Sequence, residues 1–321
     1  MAAPTCTEEH FIKLFKEYKS PTAVAKILGV ATRSVESRAH RLRSRGESLP
    51  VDAHNSHHRE DKYSKAISQI AISNGFILIG SDAHIWDTNW TCAQRAFIKF
   101  AKDLKPHTVI LNGDIFDGAS VSRHASIGWD QSPTVKQELE SAVEFCDQVL
   151  KASPNSKRFW PAGNHDMRFE TRLAERASEY KGIDGLHLKD HIVGWQPCWR
   201  VDVNTGEPSY TIVRHREKGG IHADYRNVIE SGCSLVTGHD HRLTVEPWVD
   251  YRQQVRYGVR TGYMAASPYE PQFLAYLEAK HPNWISGFIV LKFKDGQLMW
   301  PQAVRVVDDE HVEYLGEKIR V

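Results

Sequence analysis

Five short apolar runs in this chain end alike, each passing directly into carboxylate, amide or imidazole side chains. Residues 76–79 lead into Ser81-Asp82-Ala83-His84, and residues 109–111 into Asn112-Gly113-Asp114-Ile115-Phe116-Asp117. Phe159-Trp160 leads into Gly163-Asn164-His165-Asp166, residues 210–213 into His215, and Leu235-Val236 into Gly238-His239-Asp240-His241. Such continuously apolar runs read as strands buried on both faces. Helical periodicity occupies residues 91–104, 133–151, 169–178 and 226–230, and further strands are expected at 255–259 and 287–293. This alternation predicts an α/β body with a largely parallel sheet, its later strands antiparallel or mixed. Loops at the carboxyl ends of parallel strands lie side by side, which gathers sequence-distant side chains into one site.

The gathered set is Asp82, His84, Asp114, Asn164, His215, His239 and His241, with no thiolate. Oxygen and imidazole donors suit hard or borderline divalent cations. The set is too large for one tetrahedral ion but fits two ions sharing a carboxylate, an arrangement that clamps a phosphoryl group. Glycines before Asp114, Asn164 and His239 allow the sharp turns that aim each side chain inward. Asp-x-His or Gly-Asp-x-x-Asp alone carries little weight, whereas Gly-Asn-His-Asp arises by chance in roughly two chains of this length per thousand.

In this order the blocks resemble the calcineurin-like metallophosphoesterase family across residues 76–241. Asn283-Trp284-x-x-Gly287-Phe288 resembles the tail of phage-borne members. The resemblance implies a four-layer αββα sandwich. It implies one metal held by Asp82, His84, Asp114 and His241, and a second by Asp114, Asn164, His215 and His239, with Asp114 bridging. His165 would protonate the leaving oxygen, a task suited to a near-neutral imidazole, with Asp166 orienting its ring. Arg168 would contact phosphate oxygens. His215-Arg216 stands where the family usually has His-Gly, so His222 is a rival ligand. His215 is preferred because it follows its strand directly, and Arg216 would add a phosphate contact. His124 would line the substrate mouth; for the aromatic residues near 86–90 and 263–269, core or loop packing is the default and stacking of a base the alternative. Mn²⁺ is the first expectation for the two divalent ions, with Fe, Zn²⁺, Ni²⁺ or Mg²⁺ as alternatives.

Ahead of this body sits a basic head. Net charge is only +1 over 321 residues, yet residues 11–46 carry nine Lys or Arg against Glu17 and Glu36. Phe11, Leu14, Phe15 and Tyr18 mark one face of a first helix. Ser20-Pro21 starts a second that ends before Gly29-Val30, and Thr32 is expected to cap a third. This pattern resembles a helix-turn-helix module, with Arg33, Arg38, Arg41 and Arg43 as DNA contacts. A three-helix assembly module with a basic face is the alternative.

The expected organisation is a helix-turn-helix over residues 1–48, a linker over 49–72 that turns irregular or helical near 63–70, and a catalytic domain over 73–321. An apolar share of 41% and a charged share of 25% exclude a disordered or collagenous chain. Five scattered cysteines form no CxxC pair and read as reduced thiols of a cytoplasmic protein, the host cytoplasm if phage-encoded. MAAPTCTEEH lacks the basic and apolar regions of a secretory signal, and no apolar run is long enough to span a membrane. The functional expectation is a metal-dependent phosphodiesterase, nuclease or end-processing phosphatase directed to DNA. A nucleotide or cyclic-nucleotide phosphoesterase, or a DNA-binding regulator with a vestigial esterase fold, are the alternatives.

Overall fold

Strand β2 (Gly75–Gly80) buries both of its faces: Leu78 packs into one apolar core, Ile77 and Ile79 into another. The same division recurs in β3 (Thr108–Leu111), with Val109 and Leu111 on one side and Ile110 on the other. Two cores flanking one sheet require a layer on each side of it, and the computed structural model supplies them. It describes residues 6–18, 20–45, 47, 49, 66–122, 133–206, 209–266 and 282–321, divided into compact units at 1–65 and 66–321.

In the larger unit, β2 and β3 continue in parallel into β4 (Lys157–Pro161) and β5 (Gln196–Cys198). On the other side of β2, β11 (Gly287–Lys294) pairs antiparallel, followed by β13 (Gln302–Asp308), β14 (His311–Tyr314) and β15 (Glu317–Arg320). The short β12 (Gln297–Leu298) turns back on β11. A second sheet runs in the order β1 (Ile67–Ile70), β6 (Arg200–Val203), β7 (Thr211–Val213), β8 (Ser234–Thr237), β10 (Val255–Thr261), β9 (Leu243–Val249). Between the sheets lie Ile77, Ile110, Val201, Val213, Val236, Val259 and Leu291.

The outer face of the first sheet is covered by α4 (Cys92–Leu104) and α5 (Val135–Ala152), which present Phe97, Phe100, Phe145 and Val149 to Leu78, Val109 and Phe288. Each helix starts in a capping box, Thr91 with Gln94 and Thr134 with Gln137. Phe97 is fully buried and edge-on to Phe288 at 5.2 Å between centroids, so truncating it to Ala costs about 3–5 kcal/mol. The outer face of the second sheet carries α8 (Ala223–Ser231), following α6 (Asp166–Arg176) and the short α7 (Leu188–His191) in the chain. The layers are therefore helix, sheet, sheet, helix, as expected.

In the smaller unit, α1 (Glu8–Tyr18), α2 (Pro21–Leu28) and α3 (Thr32–Ser44) enclose Phe11, Leu14, Phe15, Val24, Val35, Ala39 and Leu42. The Ser20 hydroxyl caps α2 and Pro21 opens it, while Gly29 turns the chain at φ 65°. Thr32 is the first residue of α3 rather than its cap.

Two expectations are corrected. Residues 67–70, placed in a linker, form β1 and pair in parallel with β6, because Ser68 and Ile70 alternate inward. The strands β5, β6, β9 and β12–β15 were not foreseen. Most are short or polar, and a strand such as β13 buries little beyond Val304. No helix among the described residues is long and apolar enough to cross a membrane.

Candidate metal centre

The loops that follow β2, β3, β4, β7 and β8 bond to one another. Asp82 N–H donates to the Gly113 carbonyl at 3.0 Å, His84 N–H to the Asp114 carbonyl at 3.0 Å, and Gly238 N–H to the His215 carbonyl at 3.0 Å. His165 N–H donates to Asp114 Oδ1 at 2.8 Å, and His239 N–H to Asp82 Oδ2 at 2.9 Å. Close approach is built into the glycines: a Cβ on Gly163 would collide with the Asp114 carboxylate, and Gly113 sits at φ 84° under the His215 ring. Five expected ligands lie in the left-handed region, Asp82 at φ 52°, His84 at 39°, Asp114 at 54°, His239 at 72° and His241 at 59°. Backbone held there by its surroundings is a mark of functional sites.

Three groups of donor atoms lie within 4.8 Å: Asp82, His84 and His241; His84, Asp114 and His165; Asp114, His215 and His239. His84 Nε2 is 4.0 Å from both Asp82 Oδ1 and Asp114 Oδ2. His215 Nε2 is 3.2 Å from Asp114 Oδ2, and His241 Nε2 is 3.2 Å from Asp82 Oδ1. Tautomers are set from behind. His215 Nδ1 donates to the Asn112 carbonyl at 2.7 Å and His84 Nδ1 to Asp117 Oδ1 at 2.8 Å. A carbonyl and a carboxylate only accept, so each ring in its neutral form turns a bare Nε2 toward the site, the form in which an imidazole binds a cation.

Burial pushes the Asp82 carboxyl up, but His241 and His215 outweigh it and bring it down to about 2. His215 is disfavoured as a cation by burial, yet Asp114 and Asp82 raise it to about 9. Burial and the His215 charge lower His239 to about 4. Asn164 Oδ1 is buried without a hydrogen-bond partner. Orphaned lone pairs cost free energy unless something positive satisfies them. Carboxylate, amide and imidazole donors in this arrangement fit divalent cations.

A match to the calcineurin-like phosphoesterase family covers residues 77–251, more than half of the chain. The chain belongs to that family. It is accordingly a metal-dependent phosphoesterase, a hydrolase of ester bonds. Among solved structures it is similar to zinc-complexed Vps29 from Entamoeba histolytica (15% identity, TM-score 0.40, covering 76% of this chain and 98% of that one). It is also similar to the phosphoesterase YfcE from E. coli (8%, TM-score 0.38, 77% and 99%) and to a dimetal phosphatase from Danio rerio (10%, TM-score 0.37, 78% and 98%). No curated protein sequence matches.

In this phosphoesterase the group beside His165 is Asp117, not Asp166. His165 Nδ1 donates to Asp117 Oδ1 at 2.8 Å. Asp166 is turned away: it accepts the backbone N–H groups of Asp114, Ile115, Phe116 and Gly163 at 2.8–3.1 Å and the Trp160 indole at 2.9 Å. Four N–H donors and an indole fill its lone pairs, which makes it a clasp between the two loops. Asp117 also accepts the Trp86 indole at 2.9 Å. Its place in Gly113-Asp114-x-x-Asp117 was the sequence signal available for it. Arg168 does reach the site, with Nη1 donating to the Asp117 carbonyl and Nη2 to His165 Nε2, each at 3.0 Å.

His222 is exposed ahead of α8, its ring 5.8 Å from Tyr225, whereas His215 is buried in the cluster. Arg216 is exposed, and His124 lies outside the described residues. Trp90 packs on Phe145 at 5.6 Å, and Tyr263 is buried beside His241 at 5.5 Å. Trp284 stands edge-to-face with His241 at 4.2 Å, a neighbour that its motif quoted without a role. In the head, Arg33 and Arg41 are exposed. Arg38 instead covers the Phe11 ring at 4.6 Å and donates to the Cys6 carbonyl at 3.0 Å, so its charge serves the head's own packing. The Arg43 side chain lies outside the described residues.

Proposed function

We propose that this phosphoesterase is a binuclear enzyme directed to DNA, as a phosphodiesterase or an end-processing phosphatase. The two-ion reading is supported by the paired donor groups, Asp82, His84 and His241 against Asp114, His215 and His239, and by the Asn164 amide oxygen, which is buried without a partner. Asp114 would be shared by the two groups, since its Oδ2 faces both His84 and His215. Two divalent cations there, Mn²⁺ first, would polarise a water and neutralise charge developing on the phosphoryl oxygens.

The chain's own residues do the rest. His165, held at Nδ1 by Asp117, takes up a proton from solvent at Nε2 once Arg168 has left that atom, and delivers it to the departing oxygen. Arg168 gives up its contact with that Nε2 and takes the phosphate oxygens, where a planar guanidinium can bond through two N–H groups. Asp166 keeps the loops carrying Asp114 and Asn164 in register.

The DNA reading rests on the head, where a left-handed Gly29 joins α2 to an α3 bearing exposed Arg33 and Arg41. Such a pair of helices sets its second member in a major groove, and a tethered DNA-binding unit raises the local concentration of substrate. The test is turnover of bis-p-nitrophenyl phosphate and of single-stranded, double-stranded and nicked DNA beside free nucleotides, with Mn²⁺, Zn²⁺ and Mg²⁺ in turn. We expect DNA turnover that is lost in Asp114→Asn and whose affinity falls with salt. Nucleotide turnover without salt-sensitive DNA binding contradicts the DNA reading and favours a small-molecule enzyme.

A further inference from the structure

Arg260, on β10, is among the most buried side chains of the molecule at 2% exposure, and it lies outside every motif that marked the metal site. Each of its three guanidinium nitrogens donates a hydrogen bond. Nε donates to the Asp224 carboxylate at the start of α8, Nη1 to the Asp240 carboxylate, and Nη2 to the Gly220 carbonyl at 2.8 Å. Asp240 is the residue between His239 and His241. A buried cation is costly unless paired, and this one is held by two carboxylates and a carbonyl that tie separate segments together.

We propose that Arg260 is a positioning residue that holds the His239-Asp240-His241 turn and thereby aligns one imidazole for each of the two metal sites. The turn needs such a hold. Both histidines lie in the left-handed region, φ 72° and 59°, and their rings diverge: His239 joins Asp114 and His215, while His241 joins Asp82 and His84. Asp240 is the side chain of this turn that reaches back into the protein, its other oxygen taking the Arg242 N–H at 3.5 Å. Arg260 in turn is braced by α8, and β10 approaches that helix so closely that a Cβ on Gly258 would collide with the Asp224 carbonyl. The next residue of β10, Thr261, faces the opposite way and reaches Ser81 at 2.6 Å, whose hydroxyl bonds Asp82. One strand end therefore supports the histidine turn and a carboxylate of the first site together.

This inference rests on the two-metal reading, and the experiment separates the two. Mn²⁺ binding is titrated for the unaltered chain, Arg260→Met, Arg260→Lys, Asp240→Ala and Asp224→Ala, with far-UV circular dichroism and melting temperature recorded in each case. Loss of a residue that orients metal ligands weakens metal binding about 10- to 100-fold. We expect that loss in Arg260→Met and Asp240→Ala, a smaller one in Asp224→Ala, which leaves the Arg260–Asp240 contact intact, and partial rescue by Lys. If Arg260→Met does not fold, Asp240→Ala decides, since its side chain is 25% exposed and its removal leaves the other two Arg260 contacts in place. A lowered melting temperature with Mn²⁺ affinity within twofold of the unaltered chain overturns the positioning role while the two-metal reading stands. No binding by the unaltered chain overturns both.

Discussion

Asp117 Oδ1 lies 2.8 Å from the Nδ1 of His165 and equally 2.8 Å from the Nδ1 of His84. One carboxylate oxygen thus orients both the expected proton donor and an expected metal ligand. Burial pushes this carboxyl up, but hydrogen bonds from His165 and His84 hold it well below the ordinary carboxylate range, so it is an anion at neutral pH. Asp117→Asn is expected to lower kcat about 10²- to 10⁴-fold, the usual worth of general-acid assistance. Metal content should fall less, since the ligands themselves remain. Steady-state kinetics beside metal analysis checks this, and a kcat within threefold of the unaltered enzyme would remove Asp117 from the proton relay.

Asp166 should respond differently. Its replacement by Ala strips the clasp from four backbone N–H groups and an indole, and an unsatisfied buried donor costs about 1–3 kcal/mol. Asp166→Ala is therefore expected to melt well below the unaltered chain before any question of activity arises. A thermal melt that is unchanged contradicts the clasp.

Glu138 supplies a pH test away from the ligands. Its two oxygens accept the N–H groups of Gly118 and Ala119 at 3.1 Å each, just after Asp117. Burial and the Asp117 charge push its carboxyl up to about 8 from an ordinary 4.5. Between those values the folded chain holds a proton that the unfolded chain has lost, so this group's contribution to stability falls as pH rises from 4.5 to 8 and levels above. Urea unfolding of Glu138→Gln should lack that component. Curves for the two proteins that stay parallel from pH 4.5 to pH 9 would refute it.

The head divides its arginines between two tasks. Arg33→Ala should weaken DNA binding across all sequences and reduce the salt slope by about one, as loss of a phosphate contact does. Arg38→Ala should instead lower the stability of the head, because the guanidinium packs on Phe11 and bonds the Cys6 carbonyl. Fluorescence anisotropy at several salt concentrations, with melting curves, separates the two. Equal effects of both substitutions on the salt slope contradict the division.

What the amino-acid sequence made legible follows from how this site is built. Donors that sit just past buried strands announce themselves, because the apolar runs ending at Ile79 and Leu111 each give way to a carboxylate three residues on, in the same chain order as the other blocks. The choice between Asp117 and Asp166 was not legible: both are aspartates within three residues of a ligand, and only the direction of each side chain decides. Arg260 was hidden for a related reason, since an arginine at the end of a strand reads as solvent-facing until α8 closes over it. Strand β1 escaped notice because Ile67-Ser-Gln-Ile70 is too short for a periodic signal and becomes a strand only by pairing with β6. The polar hairpins of β13 to β15 likewise depend on partners that local composition does not reveal.

The most direct measurement is anomalous diffraction from crystals grown with Mn²⁺, recorded on both sides of the manganese edge. Two peaks about 3.5–4 Å apart are expected, one against Asp82, His84 and His241, the other against Asn164, His215 and His239, with Asp114 touching both. A single peak, or peaks remote from Asp114, would contradict the binuclear centre.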